Sequence, residues 1–115
     1  NFNSRQLLSW YENRQLLPPF RKIPQSIRNL RKLKSLTLMH LDIHELPNSF
    51  KDLKNLTYLN LSYNKLNLTE QFPIFRELPS LKELHVIGNQ YDEEIIRAFQ
   101  KEFPNLKLHY KLKEK

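Results

Sequence analysis

Leu56-Thr57-Tyr58-Leu59-Asn60-Leu61-Ser62-Tyr63-Asn64-Lys65-Leu66 is the stretch that decides the fold. Counted from Leu56, leucine returns at offsets 3, 5 and 10, and asparagine stands at offset 8. Leu59 and Leu61 alternate with Tyr58, Asn60 and Ser62, the two-residue period of a short strand with one buried side. Asn64 comes where the chain must leave that strand. Its amide both donates and accepts, so it suits backbone groups that lose their strand partners there.

The pattern recurs on both sides. Leu33, Leu36 and Leu38 repeat the first three positions and are followed by Leu41 and Ile43. Leu81, Leu84 and Val86 repeat them again and are followed by Asn89 and Tyr91. The units begin 23 and 25 residues apart. Each is preceded by a second signature: Ile27-x-x-Leu30-x-x-Leu33, Phe50-x-x-Leu53-x-x-Leu56 and Phe75-x-x-Leu78-x-x-Leu81. The pattern L-x-x-L-x-L-x-x-N-x-L at this period resembles the leucine-rich repeat family over roughly residues 22–110. The departure is Leu41, where the family prefers Asn or Cys, so that turn has to be satisfied in another way.

The resemblance implies an α/β fold: a right-handed solenoid of about four strands, with a curved parallel sheet on the concave face and short helices or irregular segments on the convex face. Ile23-Pro24-Gln25-Ser26-Ile27 and Glu45-Leu46-Pro47-Asn48-Ser49-Phe50 look like the short-repeat subclass with Leu-Pro on the return side, common in intracellular and bacterial members. Their prolines favour extended or irregular backbone over long helices.

Residues 1–21 do not fit the repeat. Leu7, Leu8, Trp10, Tyr11, Leu16 and Leu17 suggest an amphipathic helix capped by Asn3 or Ser4 and ended by Pro18-Pro19, a natural N-terminal cap for the first layer of the solenoid. Trp10 reads as the large apolar piece of that cap rather than a ligand-binding residue. The domain division is thus a cap over 1–21 and repeats over 22–115, together one structural domain. Thr69-Glu70-Gln71-Phe72-Pro73-Ile74-Phe75 carries two extra residues relative to the unit before it. Asp92 to Phe103 reads as a helix, with Asp92 as N-cap, Glu93 and Glu94 complementing the dipole, and Ile95, Ile96, Phe99 and Phe103 on one face. Pro104 stops it. Asn105 to Leu112 alternates apolar and polar residues, as a last strand at the sheet edge would, and Lys107, Lys111, Lys113 and Lys115 blunt that edge.

The 115 residues suffice for one domain, and no apolar run approaches membrane-spanning length. Cysteine is absent, which removes disulfides and thiol chemistry and favours a cytoplasmic setting, with a secreted mature bacterial protein as the alternative. Asn1 stands first, so the chain reads as a mature product or an excised piece. A monomer is expected. The net charge of +7 invites a nucleic-acid or anionic-surface reading, but the basic residues are spread along the chain.

By the resemblance, partners are proteins and the concave face is where they dock. Side chains between the buried leucines supply that surface: Ser35, Thr37, Met39 and His40 from one strand, Tyr58, Asn60, Ser62 and Tyr63 from the next, and Glu83, His85 and Ile87 from the third. Lys107 and His109 follow from the last strand. Equivalent positions stack about 4.8 Å apart. One column reads Ser35, Tyr58, Glu83 and the next Thr37, Asn60, His85. Tyr58 and Tyr63 are the expected energetic anchors, since tyrosine is enriched among the residues that dominate interfaces.

Other chemistries find less support. His40-Leu41-Asp42-Ile43-His44 would align two imidazoles and a carboxylate for a metal on a straight strand. Leu41 and Ile43 occupy buried repeat positions at a turn, so the expectation is no metal and no cofactor. His85 and His109 can approach each other across the concave face, ordinarily as a satisfied or exposed pair. Gly88 is the only glycine, so no phosphate-cradling loop exists, and no serine lies in a nucleophile elbow. Glu93 and Glu94 read as first-turn dipole partners rather than a catalytic pair. An enzyme is not expected. The sequons at Asn55, Asn60 and Asn67 fall out of the repeat's own Asn-Leu-Ser/Thr texture. The readings that remain are a protein-binding module, a binder of nucleic acid or anionic surfaces, and a terminal structural block of a longer repeat protein.

Overall fold

A computed structural model describes Ile23 and residues 25–112. The helix expected over 1–21 lies outside the described residues. In chain order the elements are a 3-10 helix Gln25–Asn29, strand β1 Ser35–Thr37, a 3-10 helix Asn48–Asp52, β2 Tyr58–Asn60, helix α1 Leu68–Arg76, β3 Glu83–His85, helix α2 Glu93–Glu102 and β4 Lys107–His109. The four strands form one parallel sheet in the order β1-β2-β3-β4. Repeat thus stacks on repeat, an α/β repeat fold in which consecutive elements are neighbours in space.

The leucine spacing sets the register. Leu36 pairs with Leu59, Leu59 with Leu84, and Leu84 with Leu108. Just beyond each strand the same bond recurs: the N–H groups of Leu38, Leu61 and Val86 donate to the carbonyls of Asn60, His85 and His109, each at 2.8 Å. Leu36, Leu38, Leu59, Leu61, Leu84 and Val86 lose all contact with water. A one-residue slip would turn this whole set to the other face, so burial pins the register. Ile27, Phe50, Leu53 and Leu56 complete the layer below, while Leu33 and Leu81 are only partly covered.

The return segments differ between repeats. Between β1 and β2 the chain closes with a five-residue 3-10 helix after Pro47; between β2 and β3 it winds nine residues of α-helix. The two extra residues counted in the sequence therefore belong to α1. Asn67 caps it by accepting from Thr69 N–H at 3.2 Å, and Pro73 lies inside it. In α2 the Asp92 carboxylate accepts from Glu94 and Ile95 N–H at 3.0 and 3.4 Å, as the sequence suggests. Ile96 and Phe99 are buried, but Ile95 is 37 % exposed, one position off the stripe that 96, 99 and 103 define. Phe99 stacks on Phe72 of α1 at 4.3 Å and tilts against Phe103 at 5.0 Å, which ties the two helices together.

Polar groups inside this core are matched one for one. Asn64 Oδ1 accepts from Leu41 and Ile43 N–H at 2.9 and 3.2 Å, and its Nδ2 donates to the carbonyls of Leu38 and Leu61 at 2.7 and 2.9 Å. Asn89 does the same one repeat later, accepting from Leu66 N–H at 3.0 Å and donating to Leu61 and Val86 carbonyls at 3.0 and 3.1 Å. Each asparagine thus serves its own strand end and that of the preceding repeat. This resolves the Leu41 departure: the turn around Leu41 is satisfied by Asn64. On the return side, Gln71 Oε1 accepts from Leu46 N–H at 3.1 Å, and Ser49 donates to the Gln25 carbonyl at 2.8 Å. Among the described residues every buried side-chain N or O has a hydrogen-bond partner.

Candidate functional site

The strand residues opposite the leucines form two columns. Ser35, Tyr58, Glu83 and Lys107 stand in register along one, and Thr37, Asn60, His85 and His109 along the other. Of these Lys107 is exposed and the rest are half-buried. The sequence-derived columns hold, and β4 extends both with Lys107 and His109.

The centre of the face is an imidazole-carboxylate cluster. His85 Nε2 lies 2.6 Å from Glu83 Oε2, and His109 Nε2 lies 4.0 Å from the same oxygen. The two imidazoles stack at 4.2 Å with an interplanar angle of 7°. Tyr58 tilts against His85 at 5.3 Å, and Asn60 Nδ2 donates to the Tyr58 hydroxyl at 3.4 Å. The hydrogen bond from His85 holds the Glu83 carboxyl below the usual carboxylate range, helped by the charges of His85, Lys107 and His109 and opposed by partial desolvation.

A third column follows the strands. His40, Tyr63 and Gly88 all have left-handed backbone, with φ of 57°, 60° and 79°. This is the turn that presents Asn64 and Asn89 to the strand ends. Tyr63 stacks on His40 at 4.8 Å and 5°. On its other side the tyrosine ring leans over Gly88, where an added Cβ would lie 2.5 Å from Tyr63 Cδ1. The φ favours glycine, although His40 and Tyr63 adopt it too, and the ring above is what leaves no room for a Cβ.

Of the remaining candidates, Met39 and Ile87 are half-buried beside these columns. Ser62 departs from the sequence expectation. It is buried, at 2 % exposure, and its Oγ accepts from Ile87 N–H at 3.1 Å. The two-residue alternation ends with β2 at Asn60, so Ser62 turns inward and holds the neighbouring repeat. The His40, Asp42, His44 set is not gathered. His40 and Asp42 both have positive φ, and Asp42 lies 3.8 Å from the Lys65 ammonium. The His85–His109 approach does occur. The addition of Glu83 to it is new, and its sequence signal is Glu and His two apart on one strand with a second His in register on the next.

Residues 31–91, more than half of the chain, match the leucine rich repeat family, and the chain belongs to it. A probable disease resistance protein of Arabidopsis thaliana is 37% identical over 84 residues, covering 71% of this chain and 11% of the relative. A putative disease resistance protein of the same plant is 40% identical over 63 residues, covering 55% and 7%. A volume-regulated anion channel subunit of Mus musculus is 39% identical over 66 residues, covering 55% and 8%. The chain thus spans about a tenth or less of the length of these relatives. Leucine-rich repeat domains generally mediate protein–protein interaction and are typically non-catalytic. No described helix is long and apolar enough to cross a membrane.

Proposed function

We propose that this chain is a non-catalytic interaction module that docks a partner protein on the outward face of its sheet, the concave face of a right-handed solenoid. The observation that carries this reading is the set of half-exposed rings held in fixed contacts there: His40 on Tyr63, and Tyr58 on His85. Rings already ordered by their neighbours lose little freedom when a partner covers them. Tyr58 and Tyr63 are the anchors, and Ser35, Thr37, Met39, Asn60, Glu83, His85 and Ile87 complete the surface around them. The likeness to stretches of resistance proteins and of a channel subunit, whose roles differ, fits a module used for binding rather than one tied to a single reaction.

The test is capture from an extract of the source organism by the immobilised chain and by its Tyr58→Ala/Tyr63→Ala variant, both shown folded by circular dichroism. The expected result is a protein retained through high salt by the parent and reduced at least about tenfold by the variant. Nucleic acid or mixed acidic proteins, released by salt and captured equally by both, would make the +7 charge the binding principle and overturn the proposal.

A further inference from the structure

We propose that Glu83, His85 and His109 form a binding site for a borderline divalent transition-metal ion of the Zn2+ type, with one carboxylate oxygen and two imidazole nitrogens as its protein ligands. Their ligating atoms all lie within 4.8 Å of one another. In tetrahedral zinc sites the metal–ligand bonds of about 2.0–2.2 Å place neighbouring ligand atoms about 3.3 Å apart. The present separations from Glu83 Oε2, 2.6 Å to His85 and 4.0 Å to His109, fall on either side of that value.

The backbone fixes most of this geometry in advance. His85 and His109 are register partners on β3 and β4, and Glu83 is two residues before His85 on the same side of β3. Only side-chain rotation separates the present arrangement from a coordinating one. The imidazoles now stack in parallel at 7°, so one ring must turn for both lone pairs to meet a single ion. The side chains are 22 % and 36 % exposed, which leaves room for that turn. The ion would take the place of the hydrogen bond between His85 Nε2 and Glu83, with the neutral imidazole carrying its proton on Nδ1.

The donor set selects the ion. Two nitrogens and one carboxylate suit zinc, cobalt, nickel or copper and are a poor match for calcium or magnesium, which require several oxygens. Three protein ligands on a partly open face leave the remaining coordination to water. Lys107, the register partner of Glu83, opposes a cation electrostatically, but it is exposed and its stem lets the ammonium move away into solvent. This inference stands apart from which protein docks on the face, since the metal alone is the probe.

The experiment is titration of the intact chain with ZnCl2 by calorimetry and with CoCl2 by visible absorption, alongside Glu83→Gln, His109→Asn and His44→Ala. One saturable site is expected, with affinity lowered at least about tenfold in Glu83→Gln and in His109→Asn and unchanged in His44→Ala. A tenfold excess of Mg2+ or Ca2+ should not compete. Independently of any variant, Zn2+ should shift the imidazole NMR resonances of His85 and His109 and leave those of His40 and His44 in place. Binding that survives in both Glu83→Gln and His109→Asn, shifts confined to His40 or His44, or no saturable binding at all would each overturn the proposal.

Discussion

Leu41 and Asn64 hold the same place in successive repeats. One is an apolar side chain; the other is a buried amide with four good hydrogen bonds. The difference follows from what lies before each. Asn64 reaches back to the end of β1, as Asn89 reaches back to the end of β2. Among the described residues no strand precedes β1, and an amide at position 41 would find no strand end of that kind among them. The asparagine of each repeat is therefore a part of the junction behind it.

Asn64→Leu makes the second repeat copy the first. The N–H groups of Leu41 and Ile43 and the Leu38 carbonyl lose this partner, while the Leu61 carbonyl keeps the Asn89 amide. At 1–3 kcal/mol for each buried unsatisfied group, with partial relaxation, the loss should be about 4 kcal/mol in denaturant unfolding. A loss under about 1 kcal/mol would mean that water replaces the amide and the junction is not what specifies it.

Gly88→Ala tests the neighbouring position, where Tyr63 and Gly88 share the left-handed turn but only one carries a ring. Left-handed backbone costs an alanine roughly 1–2 kcal/mol, and its Cβ must displace the Tyr63 ring. A loss of about 2 kcal/mol is expected, smaller when Tyr63→Ala has already removed the ring. Equal losses in both backgrounds would show that backbone strain alone is responsible.

The converse substitution, Leu41→Asn, should do little. Stability should change by less than about 1 kcal/mol and should not rise, because the partly buried side chain gains no second strand end among the described residues. A clear stabilisation would mean that further chain packs in front of β1 and supplies that strand end.

The smallest effect concerns the opposite end. Leu84 aligns with Leu108, so Tyr110 stands where Val86 stood, and its hydroxyl donates to Glu93 Oε1 at 3.1 Å. Partial burial pushes the Glu93 carboxyl up, but the bonds from Tyr110 and Lys111 and the charges of Lys111 and Arg97 outweigh it and hold the group below its ordinary value. A carboxyl lowered in the folded state contributes stability above its unfolded pKa of about 4.3, and loses it as pH falls through the folded value. Tyr110→Phe should therefore lower the denaturation midpoint slightly at pH 7 and leave it unchanged once Glu93 is protonated. Equal shifts at both pH values would assign the effect to packing.

Much of this was legible in the leucines. Leu36, Leu59 and Leu84 each sit at the centre of a strand, and Asp92 and Pro104 bracket α2 as written. Helix α1 was not legible, because Pro73 lies inside a helix whose stability comes from burying Phe72 and Phe75 rather than from local preference. The two columns of the sheet face followed from alternation, but alternation stops where the backbone turns, and that is why Ser62 went inward. The approach of His85 to His109 was legible, but the closing of Glu83 onto His85 depends on side-chain rotamers that spacing along one strand does not encode.

Gly88 is the only glycine of the chain and lies against the Tyr63 ring at the edge of the candidate face. A lone glycine gives a lone backbone resonance in the region that glycines occupy in nitrogen–proton spectra. The ring current of Tyr63 should displace its Hα signals. The protein thus carries, without any label chemistry, a single reporter at the face, and its position will register whatever moves that tyrosine.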